Sequence, residues 1–411
     1  MVTHINMSGK SELSIFDKPD PQIVVQNATF EEIFPTNTLS GEAADIEFKI
    51  NASNIDYLDL NDTLLYVSVK VVQENGSPLV DKADVCPNDY FFHSLFKDVI
   101  LKFNSMLVEG GNNTYAQKAI ITNVLNYSKD TETMTLDTVG CNVLETHRKV
   151  WIARSKTFEM CGPLMLDFFN QPKYLIPGIS VHIRCQRNPS SYCIKGVGKV
   201  LINDAKLFVR RVKVTSSVLM GHNIGLQKLN AIYPIRQTRL NAYSVAKGSL
   251  SYFKDQIFDD RQLPKFVLVT FQPTKSYNGD KEEFSSKFEH SNVNSITLAR
   301  NTDYRECYNV DFENDRYVTG FVQSIIRNMG LLNKNMNIGI NMKYFKDRYP
   351  FFTFVLAPDF DVNQTQMPKQ GNLRLDIRFS KPLAEATTVL IYGIFDSQIE
   401  ISSSRAITSN K

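Results

Sequence analysis

Two stretches of strict alternation constrain this chain more than any other feature. In Ile46-Glu47-Phe48-Lys49-Ile50, and again in Leu373-Arg374-Leu375-Asp376-Ile377-Arg378-Phe379, apolar and charged residues trade places at every step. Successive side chains of a β-strand point to opposite faces, so each stretch reads as a strand with one face on a core and the other in water. Antiparallel sheets carry that pattern. Other runs rich in β-branched and aromatic residues read as strands too. Before the midpoint these are 28–34, 64–72, 98–103, 150–158, 164–168, 179–185 and 199–214. After it they are 240–252, 265–271, 351–356 and 389–395. Asn61-Asp62 and Asn75-Gly76 punctuate the early ones as turns.

Helical spacing interrupts the strands twice. Thr114-Tyr115-Ala116-Gln117 fits a capping box, in which hydroxyl and amide side chains satisfy the first free N–H groups of a helix. Ala116, Ala119, Ile120, Val124 and Tyr127 then share one face. A second helix is expected over 316–329, with Asp315 as N-cap, Gly330 as stop, and a stripe of Val318, Phe321, Val322, Ile325 and Met329. It begins about 200 residues after the first, close to half of the 411-residue length. Two halves, each of about eight short strands and one short helix, predict an all-β fold of two tandem eight-stranded jelly-roll β-sandwiches. The expected divisions are a polar N-terminal arm over 1–25, a first sandwich over 26–218, a second over 219–401 and a polar C-terminal tail over 402–411.

Composition removes several classes of function. A net charge of +3 with no basic block does not describe a chain that coats nucleic acid tightly. Charged residues make up a dispersed 22%, which describes a globular chain and not a disordered one. The longest apolar runs, such as 389–392, are too short to span a bilayer, and residues 1–10 lack the apolar centre of a secretory signal. Cys86, Cys141, Cys161, Cys185, Cys193 and Cys307 are scattered and read as reduced, mostly buried thiols. The sequons at Asn27, Asn51, Asn61, Asn112, Asn126 and Asn363 accordingly carry no expectation of glycosylation.

No motif builds a catalytic, cofactor or metal site. A cupin needs two His one residue apart on a strand, and His4, His93, His147, His182, His222 and His290 contain no such pair. His182 and Cys185, imagined as zinc ligands with Cys193, are three apart on a strand and so face opposite ways. Asp137-Thr138-Val139-Gly140 has one residue too many for an aspartic protease motif and no second copy. Gly196-Val197-Gly198-Lys199-Val200 lacks the upstream Gly and the Ser/Thr of a phosphate loop and reads as a β-turn. Arg210-Arg211-Val212-Lys213 lies in a strand pattern, where a solvated or interface face is expected, with contact to packaged DNA or an acidic neighbour as the alternative. The chain is not expected to be an enzyme.

The densest combination of signals lies between Asn88 and Tyr127. His93-Ser94-Leu95-Phe96 leads into a strand that ends in Asn104; Leu107-Val108 and Asn112-Asn113-Thr114-Tyr115 follow, and the helix closes on Leu125-Asn126-Tyr127. This order of residues resembles the major capsid proteins of polinton-type mobile elements and adintoviruses, members of the double jelly-roll capsid lineage. A looser similarity of strand pattern runs from about residue 46 to about 401. The resemblance implies a homotrimeric capsomer of pseudo-sixfold outline that tiles an icosahedral shell around double-stranded DNA. It also implies a single jelly-roll penton protein and minor capsid proteins as partners, only weak non-specific contact with packaged DNA, and assembly inside the host cell into the virion capsid. Within that frame the loops over 272–288 and 301–315 are expected to form an outward tower or its trimer contacts. The arm and the tail are expected to touch neighbouring subunits. The reading from another class is a carbohydrate-binding or cell-surface β-sandwich protein.

Overall fold

The computed structural model describes residues 22–39, 44–128, 131, 135–141, 144–259, 261–301, 304–335, 338–358, 365 and 367–410. Most of the expected arm, His4 and the sequon residue Asn363 lie outside them. The first half holds β1 (Val25–Ile33), β2 (Ile46–Ile50), β3 (Asp56–Val72), β4 (Cys86–Pro87), β5 (Phe96–Phe103) and β6 (Met106–Glu109). It continues with β7 (Phe158–Pro163), β8 (Val181–Arg187), β9 (Ile194–Lys195) and β10 (Lys199–Val214). The second half opens with β11 (Ala231–Val245), β12 (Ser251–Lys254), β13 (Phe266–Pro273), β14 (Val293–Arg300) and β15 (Tyr304–Asn309). It closes with β16 (Phe352–Val355), β17 (Leu373–Phe379), β18 (Thr387–Ile401) and β19 (Ile407–Asn410).

The pairing order decides the architecture. In the first half the two main sheets run β1-β10-β3-β7 and β2-β8-β5-β6; in the second they run β11-β18-β13-β16 and β12-β17-β14-β15. With the two-residue strands β4 and β9 and the added β19 set aside, both halves follow one order, 1-8-3-6 facing 2-7-4-5. That order is an eight-stranded jelly roll. The chain is a double jelly roll, with the same topology built twice.

The alternating stretches are β2 and β17, and both bury every second residue while the charged ones stay outside or partly outside. Different chemistry marks β13 (FVLVTFQP) and β16, which are buried at every residue. A strand covered on both faces reads as a continuous apolar run instead of an alternating one. The helix Tyr115–Asn126 of the first half reaches the same sheet at β18, with Thr122 hydrogen-bonded to the hydroxyl of Tyr392 at 3.2 Å.

Several sequence expectations need correction. Residues 150–158 are not a strand: a helix, Glu145–Trp151, is followed by a 3-10 turn, Ala153–Ser155, before β7 begins. Glu145 in its first turn and Arg148 and Lys149 in its last complement the helix dipole. Residues 164–168 run as buried irregular chain into a 3-10 turn, Asp167–Asn170. The expected strand 240–252 is cut at Gly248, whose φ of +85° makes the turn between β11 and β12. The second helix starts at Val318 and winds as a π-helical turn over Val322–Arg327; Tyr317, not Asp315, stands at its cap. Asp315 instead pairs with Lys346 at 2.6 Å. Thr114 does stand at the first helix's N-cap, yet no side-chain capping bond forms. After Ser402-Ser403-Ser404 the chain turns back, and Ile407–Asn410 pairs with the end of β18.

Candidate functional site

Elementary energetics directs attention to the seam between the two sandwiches, because charged groups are buried there. The helix Tyr115–Asn126 is buried from Tyr115 through Leu125, on all sides and not on a stripe alone. Lys118 is therefore carried inside. Its ammonium meets Glu109 at 2.6 Å, on the end of β6, and Asp167 at 3.0 Å, on the turn after β7. Glu109 also accepts the Asp167 backbone N–H at 2.7 Å. Asp167 reaches across the seam, accepting from the Thr238 backbone N–H at 2.8 Å and the Thr238 hydroxyl at 2.6 Å on β11. Burial and the neighbouring Asp167 carboxylate push Glu109 up to about 7. Burial opposes the charge on Lys118, but the two carboxylates outweigh it and hold its pKa above the ordinary lysine value. Four residues thus bind helix, sheet edge, turn and second sandwich into one polar lock, which lines a cleft of about 910 Å³ along the seam.

Two further contacts close the seam. At one end the Tyr233 hydroxyl, on β11, accepts from the Ile176 N–H and donates to the Tyr174 carbonyl, each at 3.1 Å, with its ring 5.4 Å from that of Phe168. At the other, the loop 272–288 docks on the first sandwich. The Asn88 amide donates to the Ser285 hydroxyl at 2.6 Å, Ser285 donates to the Tyr192 carbonyl at 2.6 Å, and Ser286 donates back to Asn88 at 2.6 Å. Arg348 pairs with buried Asp89, and the guanidinium of Arg148 lies 4.5 Å from the Phe284 ring. The loop 272–288, expected to form an outward tower or its trimer contacts, thus also straps the two halves together. Residues 301–315 are likewise not one loop, since β15 occupies 304–309 and pairs with β14.

The residues weighed as chemical sites are dispersed. His182 is exposed on β8 while Cys185 is buried on the opposite face, and Cys193 is buried elsewhere. Among the described residues no three His, Cys, Asp or Glu side chains are grouped to hold a metal ion. None of the six cysteines is in a disulfide; Cys86, Cys141, Cys185 and Cys193 are buried and Cys307 is exposed. Asp137–Val139 is a 3-10 turn, and Gly196 turns the chain from β9 towards β10 at a φ of +100°. Arg210 is paired with Asp59 at 2.9 Å and Asp62 at 2.7 Å, and Arg211 with Glu31, which leaves Lys213 as the exposed cation of that cluster. No helix among the described residues is long and apolar enough to cross a membrane. Sequence reasoning missed the Glu109–Lys118–Asp167–Thr238 lock. Its one local trace is that Lys118 is the single charged residue of the helix Tyr115–Asn126.

A duplicated jelly roll is the architecture of double jelly-roll major capsid proteins, and known structures of that class, from large DNA viruses and virophages, are similar to this chain over nearly its whole length. The PBCV-1 VP54 structure fitted into a reconstruction of the virophage Sputnik matches with a TM-score of 0.64 at 12% identity, covering 96% of this chain and 99% of that one. The Sputnik virophage structure gives 0.65 at 10% identity, covering 98% and 92%, and the mavirus major capsid protein gives 0.52 at 10% identity, covering 97% and 93%. At such identities the likeness is one of fold. In sequence, the uncharacterized protein F54H12.2 of Caenorhabditis elegans is 22% identical over 404 residues, covering 92% of this chain and 96% of its own length. No protein-family model matches the sequence.

Proposed function

We propose that this chain is a major capsid protein of the polinton and adintovirus type. The observation that carries the proposal is the single strand order, built twice in one chain whose fold is similar to viral shell proteins over 96–98% of its length. The work of such a protein is geometric. Two similar sandwiches fixed side by side in one chain, taken three times, give six similar lobes around one axis, and a near-hexagonal block tiles a flat facet. Contacts within the block bury large, closed surfaces, while smaller contacts between blocks let the lattice form and correct itself. The relative from a nematode supports the mobile-element part of the reading, since an element resident in an animal genome would place its shell protein among that animal's own proteins. In this account double-stranded DNA fills the shell with only weak, non-specific contact to the subunit, and a single jelly-roll penton closes the vertices. The virion capsid is its site, and assembly takes place inside the host cell.

Expression of the full chain followed by electron microscopy tests the proposal. Closed shells, or flat sheets of hexagonal blocks, are expected. A monomer at all salt and protein concentrations that binds immobilised glycans would instead place the chain with carbohydrate-binding β-sandwiches.

A further inference from the structure

Amide formation between side chains needs an amine, a carboxyl group in contact with it and a second acid to carry protons, all held out of bulk water. The lock supplies each of these. Lys118 Nζ lies 3.0 Å from Asp167 Oδ1 and 2.6 Å from Glu109 Oε1. The Asp167 side chain is only 5% exposed. Its two oxygens are held differently. Oδ2 accepts the Thr238 backbone N–H at 2.8 Å, while Oδ1 accepts the Thr238 hydroxyl at 2.6 Å and meets the ammonium. Glu109 Oε2 accepts the Asp167 N–H at 2.7 Å, which keeps Oε1 on the amine. Charge is also out of balance, since two carboxylates share one ammonium in a buried place where ions are costly to keep.

We infer that Lys118 and Asp167 condense to an intramolecular amide, with Glu109 as the proton carrier, so that the lock matures from an ion pair into a covalent cross-link. Lys118 Nζ enters as an ammonium with three protons and ends as an amide nitrogen with one. Glu109 Oε1 takes the first proton and passes it to Asp167 Oδ1, which leaves a free amine beside a neutral carboxyl group. The nitrogen lone pair then adds to Asp167 Cγ and forms the C–N bond. Negative charge gathers on Oδ2, where the Thr238 N–H already points. Glu109 takes the second proton from nitrogen and gives it to Oδ1. The C–Oδ1 bond breaks, and one water leaves into the seam cleft that the lock lines. No oxidant or other reagent enters. Asp167 is the acyl partner because both Thr238 donors hold its carboxyl group. Glu109, pushed up to about 7 by burial and its neighbour, is suited to take and return protons near neutral pH. Freshly folded protein holds the ion pair, since the two carboxylates keep the proton on the amine, and the amide accumulates on ageing. The product joins the helix Tyr115–Asn126 to the turn Asp167–Asn170, the two first-half elements that pack on β11. The chemistry is independent of any assembly into shells.

Intact-mass spectrometry of the denatured full chain, fresh and after prolonged incubation at neutral pH, tests it. The expected result is a species lighter by one water that grows with time, together with a branched tryptic peptide joining Lys118 to Asp167. Glu109→Gln, which still accepts the Asp167 N–H, should slow that growth roughly 100-fold or more. An unchanged mass in the aged parent overturns the cross-link. A loss of water with no branched peptide, as a succinimide would give, overturns it equally. So does Glu109→Gln protein that folds by circular dichroism and condenses at the parent's rate. The aged parent decides alone if a variant does not fold.

Discussion

Lys118→Met is the sharpest perturbation of the seam. Methionine keeps most of the apolar stem of lysine and removes the ammonium, which leaves Glu109 and Asp167 as buried carboxylates without their shared cation and donor. Removing one partner of a buried ion pair costs about 3–5 kcal/mol, because the other charge stays uncompensated. For a cooperative unit of some 200 residues that corresponds to a fall in melting temperature of roughly 6–20 °C. The loss should shrink on acidification, since Glu109 is already displaced towards neutral pH and takes up a proton more readily once the ammonium is gone. Adding Glu109→Gln should recover most of the loss at pH 8: the amide oxygen still accepts the Asp167 N–H while the charge is removed. The assay is thermal unfolding followed by circular dichroism at pH 8 and pH 6, on the single and double variants. A single variant within 1 °C of the parent at pH 8, or a loss that does not change with pH, would refute the reasoning. Either would mean that the three groups act as a solvated cluster and not as a buried lock.

Other expectations follow from the same structure. Gly279→Ala should loosen the strap 272–288, because φ is +86° there and a Cβ would stand 2.9 Å from Tyr192 Cα. More than about 1 kcal/mol of stability should be lost, with faster proteolysis within the strap. His93 is fully buried beside the Tyr115 hydroxyl, and burial lowers its pKa from 6.5 to about 3. The unfolded chain therefore binds a proton below about pH 6.5 that the fold refuses, and stability from this group falls as pH drops from 6.5 to 3. Glu109 acts oppositely between about pH 4.5 and 7, where the fold holds a proton that the unfolded chain gives up. Acid unfolding should accordingly steepen below about pH 4.5, and His93→Gln should flatten it, which a pH titration of the melting temperature reads directly. Deleting residues 1–25 should leave a soluble assembled block while impairing shell formation; normal shells from the deletion would contradict a role for the arm in contacts between blocks.

What the sequence disclosed depended on how many faces of an element water touches. β2 and β17 have one wet face each, and their alternation placed them to the residue. The continuous apolar runs β13 and β16 were legible as strands, but nothing in them says what covers the second face. Residues 150–158 misled because Val150, Trp151 and Ile152 are β-formers by type; the charge order Glu145 to Lys149, a helix signal, was the better guide. The second helix was placed but its π-helical turn was not, since that winding is not read from hydrophobic spacing. The lock was hidden for a physical reason. Lys118, Glu109 and Asp167 look like ordinary surface charges until the second sandwich is laid over them, and no local pattern reports a burial created by residues 71 or more positions away. The duplication itself was visible as two helices half a chain apart, whereas the shared strand order required the pairings.

The mass of the purified full chain in dilute solution, by mass photometry, tests the central claim most directly. The account predicts a dominant species near three times 46.8 kDa, with six lobes in averaged images of the same sample. A single species at 46.8 kDa that does not change with salt, pH or concentration would contradict it.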